Sequence, residues 1–486
     1  MTSGYLMAWL LPLFAGTGVC WLAAPARGHL SVRLAVSMGG GWIVGVLMAA
    51  WLARWTARTD TAHAFAHAAP WLVALGILAW APNAVRLWRY GRSAVSGEGN
   101  RPSTRIARGF WWLLLALIVS RLLLVGDEAA LRPVFPWDAW STWALKPKAW
   151  LLLGQADTYV PMSDWLSDPQ APMRTTGAWN YPELLAWVQI WFASSAGDWN
   201  EPLVDVAWCG ALAAFALAAY GYWRSLELSA GLAMGLVYAL VSLPLIDAHI
   251  ALAGYADLWI AVTLGLAMLA WSRWLIHREE RQWGLAVALA LCLPAIKLEG
   301  AIWLLEFLAM LMLDLLPARW RWRVVGGMVV VVLIGLSFGG FSLPIPGLGW
   351  TRLAWGSLTI SSSAIYHLAW HPVGEAMLAS LFTLPNWHLL WYVFPVLVAV
   401  RWRVLLHDHA ARMLGGLVFL QFVFLFVLFF LTDAAMWAED FTSANRLILH
   451  IVPSVFVFSA VLMRGALADT QPTQAAQGQT TGVADQ

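Results

Sequence analysis

Ionisable side chains suited to acid–base chemistry are concentrated in one stretch of an otherwise apolar chain. Residues 136–148 read Pro-Trp-Asp-Ala-Trp-Ser-Thr-Trp-Ala-Leu-Lys-Pro-Lys. In a helix with about 100° between successive residues, Asp138 and Lys146 lie on one face, and Trp140 and Trp143 lie on the opposite face. A carboxylate can take a proton from an incoming hydroxyl, and an ammonium group can stabilise a departing anion. The stretch therefore contains the groups needed to transfer a chemical group from an anionic leaving group to an acceptor hydroxyl.

A structural interpretation of the same stretch is also open. The tryptophans then anchor a helix on the membrane surface, Asp138 caps that helix after Pro136, and the lysines extend to lipid headgroups. Pro147 ends or bends such a helix at Lys146. The partner of Lys148 is therefore left open.

Further ions stand at the ends of apolar segments, which favours the functional interpretation. A carboxylate beside the bilayer is costly unless it is paired or used. Lys297 and Glu299 separate two apolar segments that are too short to carry ions out of the hydrocarbon, so we expect their turn to line a polar cavity. A role as a helix N-cap fits Asp257 about equally well. The ions of this set are Asp127, Glu128, Asp257, Lys297, Glu299 and Arg446.

Segment 345–386 has a second, weaker group of candidates. His367 and His371 have the i, i+4 spacing of a metal pair on a helix, but Pro372 follows and the segment offers no clear third ligand. We therefore predict no metal site. Anion binding by Arg352 with His367 is more plausible, because arginine contacts phosphate oxygens through two parallel N–H groups.

Composition shows what kind of elements must hold these residues. Of the 486 residues, 61% are hydrophobic and 12% are charged, whereas soluble domains average about 25% charged residues. The 35 tryptophans are typical of membrane interfaces. A soluble enzyme is excluded, and the net charge of +2 gives no reason to expect a nucleic-acid partner.

The apolar segments predict an all-α polytopic membrane protein with about 13 transmembrane helices. Lys and Arg mark cytoplasmic loops, so the basic loop 85–108 is predicted inside and segment 127–202 outside. Segment 182–197 is predicted to lie flat or half-inserted on the outer surface, because a crossing there would place the later arginine clusters outside. The amino terminus is then outside and the carboxyl tail inside. About two thirds of the 27 Asp and Glu residues are then outside.

The order of the short motifs resembles that of the GT-C glycosyltransferases, which use lipid-linked sugars. The branch that it resembles contains the protein mannosyltransferases, the aminoarabinose transferase of lipid A and the RgtA/B/C/D-like proteins. The resemblance covers roughly residues 110–345, with a looser match through Arg446. The matching motifs are Pro136-Trp137-Asp138 with Lys146 and Gly154, Tyr181-Pro182, Asp257, and Lys297-Leu298-Glu299-Gly300.

The resemblance implies a GT-C-like fold with interfacial helices in the first outer loop. It also implies transfer of a sugar from a polyprenyl-phosphate donor to an extracytoplasmic glycan, lipid or protein. Asp138 is then the base, but Asp127-Glu128-Ala129 also resembles the first motif and leaves Asp127 as an alternative. The expected phosphate-binding residues are Lys146, Lys148, Lys297, Arg352, His367 and Arg446. The expected residues that contact the acceptor or shape the site are Glu128, Tyr181, Asp257 and Glu299.

The chain divides on this basis into five parts. They are additional N-terminal helices with the basic loop (1–107), a GT-C-like catalytic module (108–344) with outer loop 127–202, a second outer loop (345–386), C-terminal helices (387–463) and a disordered cytoplasmic tail (464–486). The expected location is the inner membrane, with the site facing the periplasm or the cell exterior. No cofactor is expected, and participation of a divalent metal is left open.

Two other functional classes are weighed against this hypothesis. A transporter or lipid flippase is expected to carry acids within its spans and to show internal repeats. A polysaccharide polymerase or ligase usually relies on arginines in a large late loop. Neither pattern is evident, because the acids gather on one side and segment 345–386 contains a single arginine, Arg352.

Overall fold

The computed structural model describes residues 2–24, 29–90, 104–168, 170–345, 348–360 and 364–464. Most of the predicted basic loop 85–108 and nearly all of the predicted tail 464–486 lie outside the described residues.

Helices account for most of the described chain, as predicted. In the first half they are α1 (Ser3–Ala23), α2 (Leu30–Thr56), α3 (Ala64–Tyr90), α4 (Arg105–Leu131), α5 (Leu145–Leu153), α6 (Met162–Ser167), α7 (Leu184–Ala196), α8 (Glu201–Ser225), α9 (Ala230–Val241) and α10 (Pro244–Ala251). In the second half they are α11 (Asp257–His277), α12 (Glu280–Ile296), α13 (Gly300–Leu315), α14 (Ala318–Ser337), α15 (Gly374–Leu378), α16 (Leu390–Val400), α17 (Trp402–His407), α18 (His409–Leu431), α19 (Met436–Glu439) and α20 (Ser443–Met463).

Membrane-spanning length is reached by nine of the helices in the described ranges, or by ten spans if α9 and α10, which are bent by 57° at their junction, count as one. A span needs about 20 apolar residues. These helices confirm the predicted class, a multi-pass α-helical membrane protein.

A small sheet replaces part of the segment that was predicted as a loop. Strands β3 (Phe341–Ile345), β4 (Gly349–Ala354), β5 (Ser357–Ile360) and β6 (Ala364–His367) pair in sequence order and antiparallel. Two shorter strands, β1 (Thr158–Tyr159) and β2 (Met173–Arg174), pair in parallel. Helix α14 ends at Ser337, and Gly339 and Gly340, with φ values of +88° and +101°, turn the chain into β3.

The helical body has two ends, and each contains a buried aspartate. At one end Asp257, the first residue of α11, meets Lys297 after α12. At the other end Asp314 of α13 meets Arg278 after α11 and His409 at the start of α18. We refer to them as the Asp257 end and the Asp314 end.

Helix α7 has both of its termini at the Asp257 end. Glu183, just before α7, pairs with Arg54 and Arg58 near the end of α2, with N–O distances of 3.3 and 3.2 Å. The hydroxyl of Thr2, just before α1, donates to the carbonyl of Ser195. Because α1 and α2 are antiparallel neighbours, α7 lies across the body and does not run along it. Most of its 13 residues are buried in protein, so α7 is packed into the helical body at this end.

Candidate active site

A network of buried ions lies at the Asp257 end. The side chain of Asp257 is fully buried, and Lys297 places Nζ 2.8 Å from Asp257 Oδ1. The same Nζ lies 3.1 Å from Glu299 Oε1, and the Glu299 side chain is 31% exposed. Buried charges require partners. The three residues therefore form one ion-paired unit that reaches solvent at Glu299.

The tight hairpin between α12 and α13 fixes this unit. Gly300 begins α13 so close to α12 that a Cβ atom on it would lie 2.1 Å from the carbonyl oxygen of Leu293. Glycine is required for such a close backbone approach. The hairpin thereby carries Lys297 and Glu299 to the start of α11.

His450 of α20 adds an imidazole to the network. Its Nε2 lies 2.9 Å from Asp257 Oδ1, and its Nδ1 accepts a hydrogen bond of 3.1 Å from the indole N–H of Trp303. Because an indole N–H can only donate, the ring proton of His450 lies on Nε2 and is donated to Asp257. Oδ1 of Asp257 thus receives two hydrogen bonds. Oδ2 is buried and has no hydrogen-bond partner within the described ranges.

Arg446, also on α20, connects the network to segment 127–202. Its Nη1 donates to Asp138 Oδ2 at 2.7 Å, and the Asp138 side chain is 39% exposed. The guanidinium carbon lies 5.1 Å from the centre of the Tyr255 ring. Arg446 and His450 share one helix face because their spacing is i, i+4. Helix α20 therefore presents a cation to Asp138 and an imidazole to Asp257.

A π-helical turn, Ala139–Trp143, determines where Asp138 lies. Asp138 precedes this wider turn and Lys146 follows it, and the two side chains bond to different partners: Asp138 to Arg446, and Lys146 to backbone carbonyls before α7. Gly254 packs against the turn with φ +112°, and a Cβ atom on it would lie 2.7 Å from Ala139 Cβ. This close contact brings Asp138 next to the loop before α11.

Two tyrosines interact with the same ions. Burial raises the pKa of Tyr181, and the charge of Glu299 adds to this increase. Burial also raises the pKa of Tyr366 on β6, again with a contribution from Glu299. Both phenols are therefore protonated at neutral pH and can donate hydrogen bonds near Glu299.

Lys146 lies behind the turn that carries Tyr181. Its Nζ donates to the carbonyl of Trp179 at 2.8 Å and to the carbonyl of Tyr181 at 3.2 Å. Burial lowers the pKa of Lys146 to about 8. The structure therefore gives Lys146 a supporting contact with the Tyr181 turn and does not bring it to Asp138.

Lys148 belongs to a separate surface site. Its Nζ donates to Glu201 Oε1 at 2.8 Å. The two residues line an open pocket of about 400 Å³ with Trp199 and Asn200. Lys146 and Lys148, which are both expected to bind phosphate, therefore have different partners in the structure.

Arg352 and His367 lie on the sheet but face away from the ion network. The strand register places both on one face and Tyr366 on the opposite face. Both are exposed, and Arg352 donates to the Gly339 carbonyl at 3.3 Å. Tyr366, on the opposite face, interacts with Glu299. The structure therefore does not bring Arg352 and His367 together with Lys297 and Arg446, the predicted phosphate-binding residues of the network.

Asp127 and Glu128 also lie apart from the network. Both belong to the last turns of α4, where Asp127 is exposed. Glu128 pairs with Arg132 at 2.6 Å, and both side chains are about half exposed. Asp138, which bonds to Arg446, is the carboxylate of segment 127–202 that joins the ion network.

Three contributing residues were missed from the sequence: His450, Trp303 and Tyr255. His450 had a detectable signal, since it is a polar residue four positions after Arg446 within an apolar span, where polar side chains are costly. Trp303 and Tyr255 had no such signal, because tryptophan and tyrosine are frequent throughout interfacial segments.

No protein-family model matches the chain. No curated protein and no solved structure matches it either. Across the described ranges, no group of three or more His, Cys, Asp or Glu side chains is arranged to hold a metal ion. Inference about function therefore rests on the ion network.

The network combines two kinds of chemical capability. Lys297 and Arg446 are cations that can bind phosphate oxygens, the arginine through paired N–H groups. Asp138 is a partly exposed carboxylate that can accept a proton from a substrate hydroxyl. These groups come from segments far apart in the chain and lie at one end of a bundle of apolar helices.

Proposed function

We propose that the protein is a glycosyltransferase of the GT-C type, which transfers a sugar from a polyprenyl-phosphate donor to an extracytoplasmic glycan, lipid or protein. The observation that carries this proposal is the ion pair of Asp138 with Arg446, next to the buried pair of Asp257 with Lys297. A donor with a phosphate headgroup and a hydrocarbon tail suits cations at the end of a membrane bundle.

The proposed reaction uses each part of the network. The acceptor oxygen attacks the anomeric carbon of the sugar, the bond from that carbon to the phosphate oxygen breaks, and polyprenyl phosphate leaves with the electron pair. The hydroxyl proton passes to Asp138. Arg446 and Lys297 stabilise the charge on the phosphate. The protonated phenol of Tyr181 donates a further hydrogen bond to the substrate.

The proposed topology has 13 spans, with the Asp257 end outside the inner membrane. The nine long helices and the bent pair supply ten spans, and we add the shorter helices α12, α13 and α16. The crosswise position of α7 supports this arrangement, because α7 then adds no crossing. The arginines at the Asp314 end, including Arg278 and Arg321, then face the cytoplasm in accord with the positive-inside rule.

The proposal is tested in a strain of the source organism that lacks the gene. Mass spectrometry is expected to show one polyprenyl-phosphate sugar that accumulates and one envelope glycan, lipid or protein modification that is lost. Wild-type protein restores the product. With Asp138→Asn, the rate of product formation is expected to be at least about 100-fold lower than with wild-type protein, since a general base contributes roughly 10²–10⁴-fold.

Asp127→Asn is the matched control, because it removes an exposed carboxylate on the same outer segment. It is expected to restore the product fully. Full restoration by Asp138→Asn at equal abundance in the membrane would contradict the assigned role of Asp138. A deletion that changes only the sidedness of a lipid, with no glycan lost, would contradict the glycosyltransferase proposal in favour of a flippase.

A further inference from the structure

A buried histidine beside the ion network has an unused nitrogen. His249 of α10 is 6% exposed. Its ring centre lies 5.6 Å from that of Tyr255, the same ring that Arg446 contacts. His249 also interacts electrostatically with Asp257. It therefore borders the space around Asp257 and Arg446.

The hydrogen bonds of His249 define which nitrogen is unused. Nδ1 lies 2.8 Å from the carbonyl oxygen of Leu245. A carbonyl can only accept, so Nδ1 carries the ring proton. In the neutral ring Nε2 is then an acceptor, and it is buried with no hydrogen-bond partner within the described residues.

Asp257 Oδ2 is a second buried acceptor that has no hydrogen-bond partner within the described residues. The nearby cations do not satisfy it, because Lys297 bonds to Oδ1 and Arg446 bonds to Asp138. Buried polar atoms in native proteins nearly always have a partner. Two buried acceptors in one region therefore indicate a bound group that donates hydrogen bonds, such as a hydroxyl.

We propose that His249 Nε2 and Asp257 Oδ2 form a subsite that binds hydroxyl groups of the donor's sugar. This proposal rests on the proposed function, in which Lys297 and Arg446 bind the phosphate to which that sugar is attached. A sugar joined to that phosphate lies beside Asp257. Water offers the same hydrogen bonds, so the experiment separates a sugar hydroxyl from a water molecule.

The test compares two kinds of lipid with purified protein in nanodiscs. The probes are undecaprenyl phosphate and undecaprenyl phosphate that carries glucose, mannose, galactose or aminoarabinose. Wild-type protein is expected to bind one sugar-carrying lipid about tenfold more tightly than undecaprenyl phosphate. His249→Phe is expected to remove that preference and to leave the affinity for undecaprenyl phosphate unchanged.

His249→Gln keeps an acceptor oxygen at the end of the side chain and is expected to restore part of the preference. An unchanged preference in His249→Phe would show that water fills the subsite and would overturn the proposal. Equal loss of both affinities would assign His249 to folding alone and would also overturn it. A wild-type protein that binds undecaprenyl phosphate but no sugar-carrying lipid more tightly would overturn the subsite and leave the proposed function standing. Failure of wild-type protein to bind any of these lipids would overturn the proposed function itself.

Discussion

Two buried aspartates, one at each end of the helical body, are each bonded to a cation and to a histidine. At the Asp314 end, Arg278 donates to both carboxylate oxygens, at 2.9 Å to Oδ2 and 3.2 Å to Oδ1. His409 Nε2 lies 2.6 Å from Oδ1, and the indole of Trp274 donates to Oδ2 at 2.7 Å. At the Asp257 end, both donors bind to Oδ1, and Oδ2 has no partner within the described residues.

The histidines at the two ends even share a tautomer. His409 Nδ1 accepts from Arg321 at 3.2 Å, and His450 Nδ1 accepts from Trp303 at 3.1 Å. In each case the remaining nitrogen, Nε2, donates to the aspartate. Each cluster therefore joins an aspartate to a cation and a histidine, and the two differ in whether both carboxylate oxygens are hydrogen-bonded.

We infer that this difference separates structural ions at the Asp314 end from functional ions at the Asp257 end. A saturated cluster such as that of Asp314 ties helices together and has no capacity left for a ligand. A buried acceptor without a protein donor is costly, and a bound ligand or a water molecule can supply the missing hydrogen bond. Both ends contain a buried carboxylate paired with a cation, so charge content alone does not distinguish them.

The largest expected difference between the two ends comes from removing their cations. Lys297→Met is expected to lower sugar transfer per folded molecule about 100- to 1,000-fold, because a cation that stabilises the leaving phosphate is lost. Arg278→Met, the matched change at the Asp314 end, is expected to lower the melting temperature and to leave transfer per folded molecule unchanged. Transfer rates normalised to folded protein distinguish the two. Equal losses of transfer in both variants would remove the distinction between the ends.

A smaller effect is expected for Lys146, a buried cation outside both clusters. Its pKa is lowered to about 8 by burial, whereas an unfolded lysine keeps its proton to about pH 10.4. The unfolded chain therefore binds more protons across this window, and the folded protein gains stability as the pH rises. Relative to Lys146→Met, the gain between pH 8 and 10 is expected to reach about 3 kcal/mol at most. Melting curves against pH measure it, and a pH-independent difference would show that Lys146 titrates normally.

The smallest effect is expected at the surface pair of Lys148 with Glu201. Its lysine is 47% exposed, and exposed ion pairs contribute about 1 kcal/mol or less. Lys148→Ala is expected to change neither the melting temperature nor the transfer rate measurably. A marked loss of transfer in this variant would return Lys148 to the phosphate-binding set that the sequence suggested.

The parts of the site that follow from chain sidedness could be predicted from the sequence. Basic loops and span lengths orient each segment, which is sufficient to place Asp138, Asp257, Lys297 and Arg446 at the same end of the bundle. The helical class follows from the number and length of the apolar segments.

The remaining features depend on contacts between distant segments. The π-helical turn after Asp138 forms against Gly254, and Lys146 bonds to the carbonyls of Trp179 and Tyr181, which belong to a later segment. The sheet at 341–367 turns Arg352 away from the site. The pairing of His450 with Asp257 joins two helices far apart in the chain. A single sequence does not indicate which residues of distant helices are in contact.

The most direct test of the account exchanges one atom at each end. Asp257→Asn and Asp314→Asn are compared for transfer per folded molecule, by mass spectrometry of polyprenyl phosphate released in nanodiscs that contain the donor and acceptor extracted from the source organism. We predict a loss of at least about 100-fold for Asp257→Asn and an unchanged rate for Asp314→Asn, with only its stability reduced. Unchanged release by Asp257→Asn would contradict the assignment of the Asp257 end as the active site.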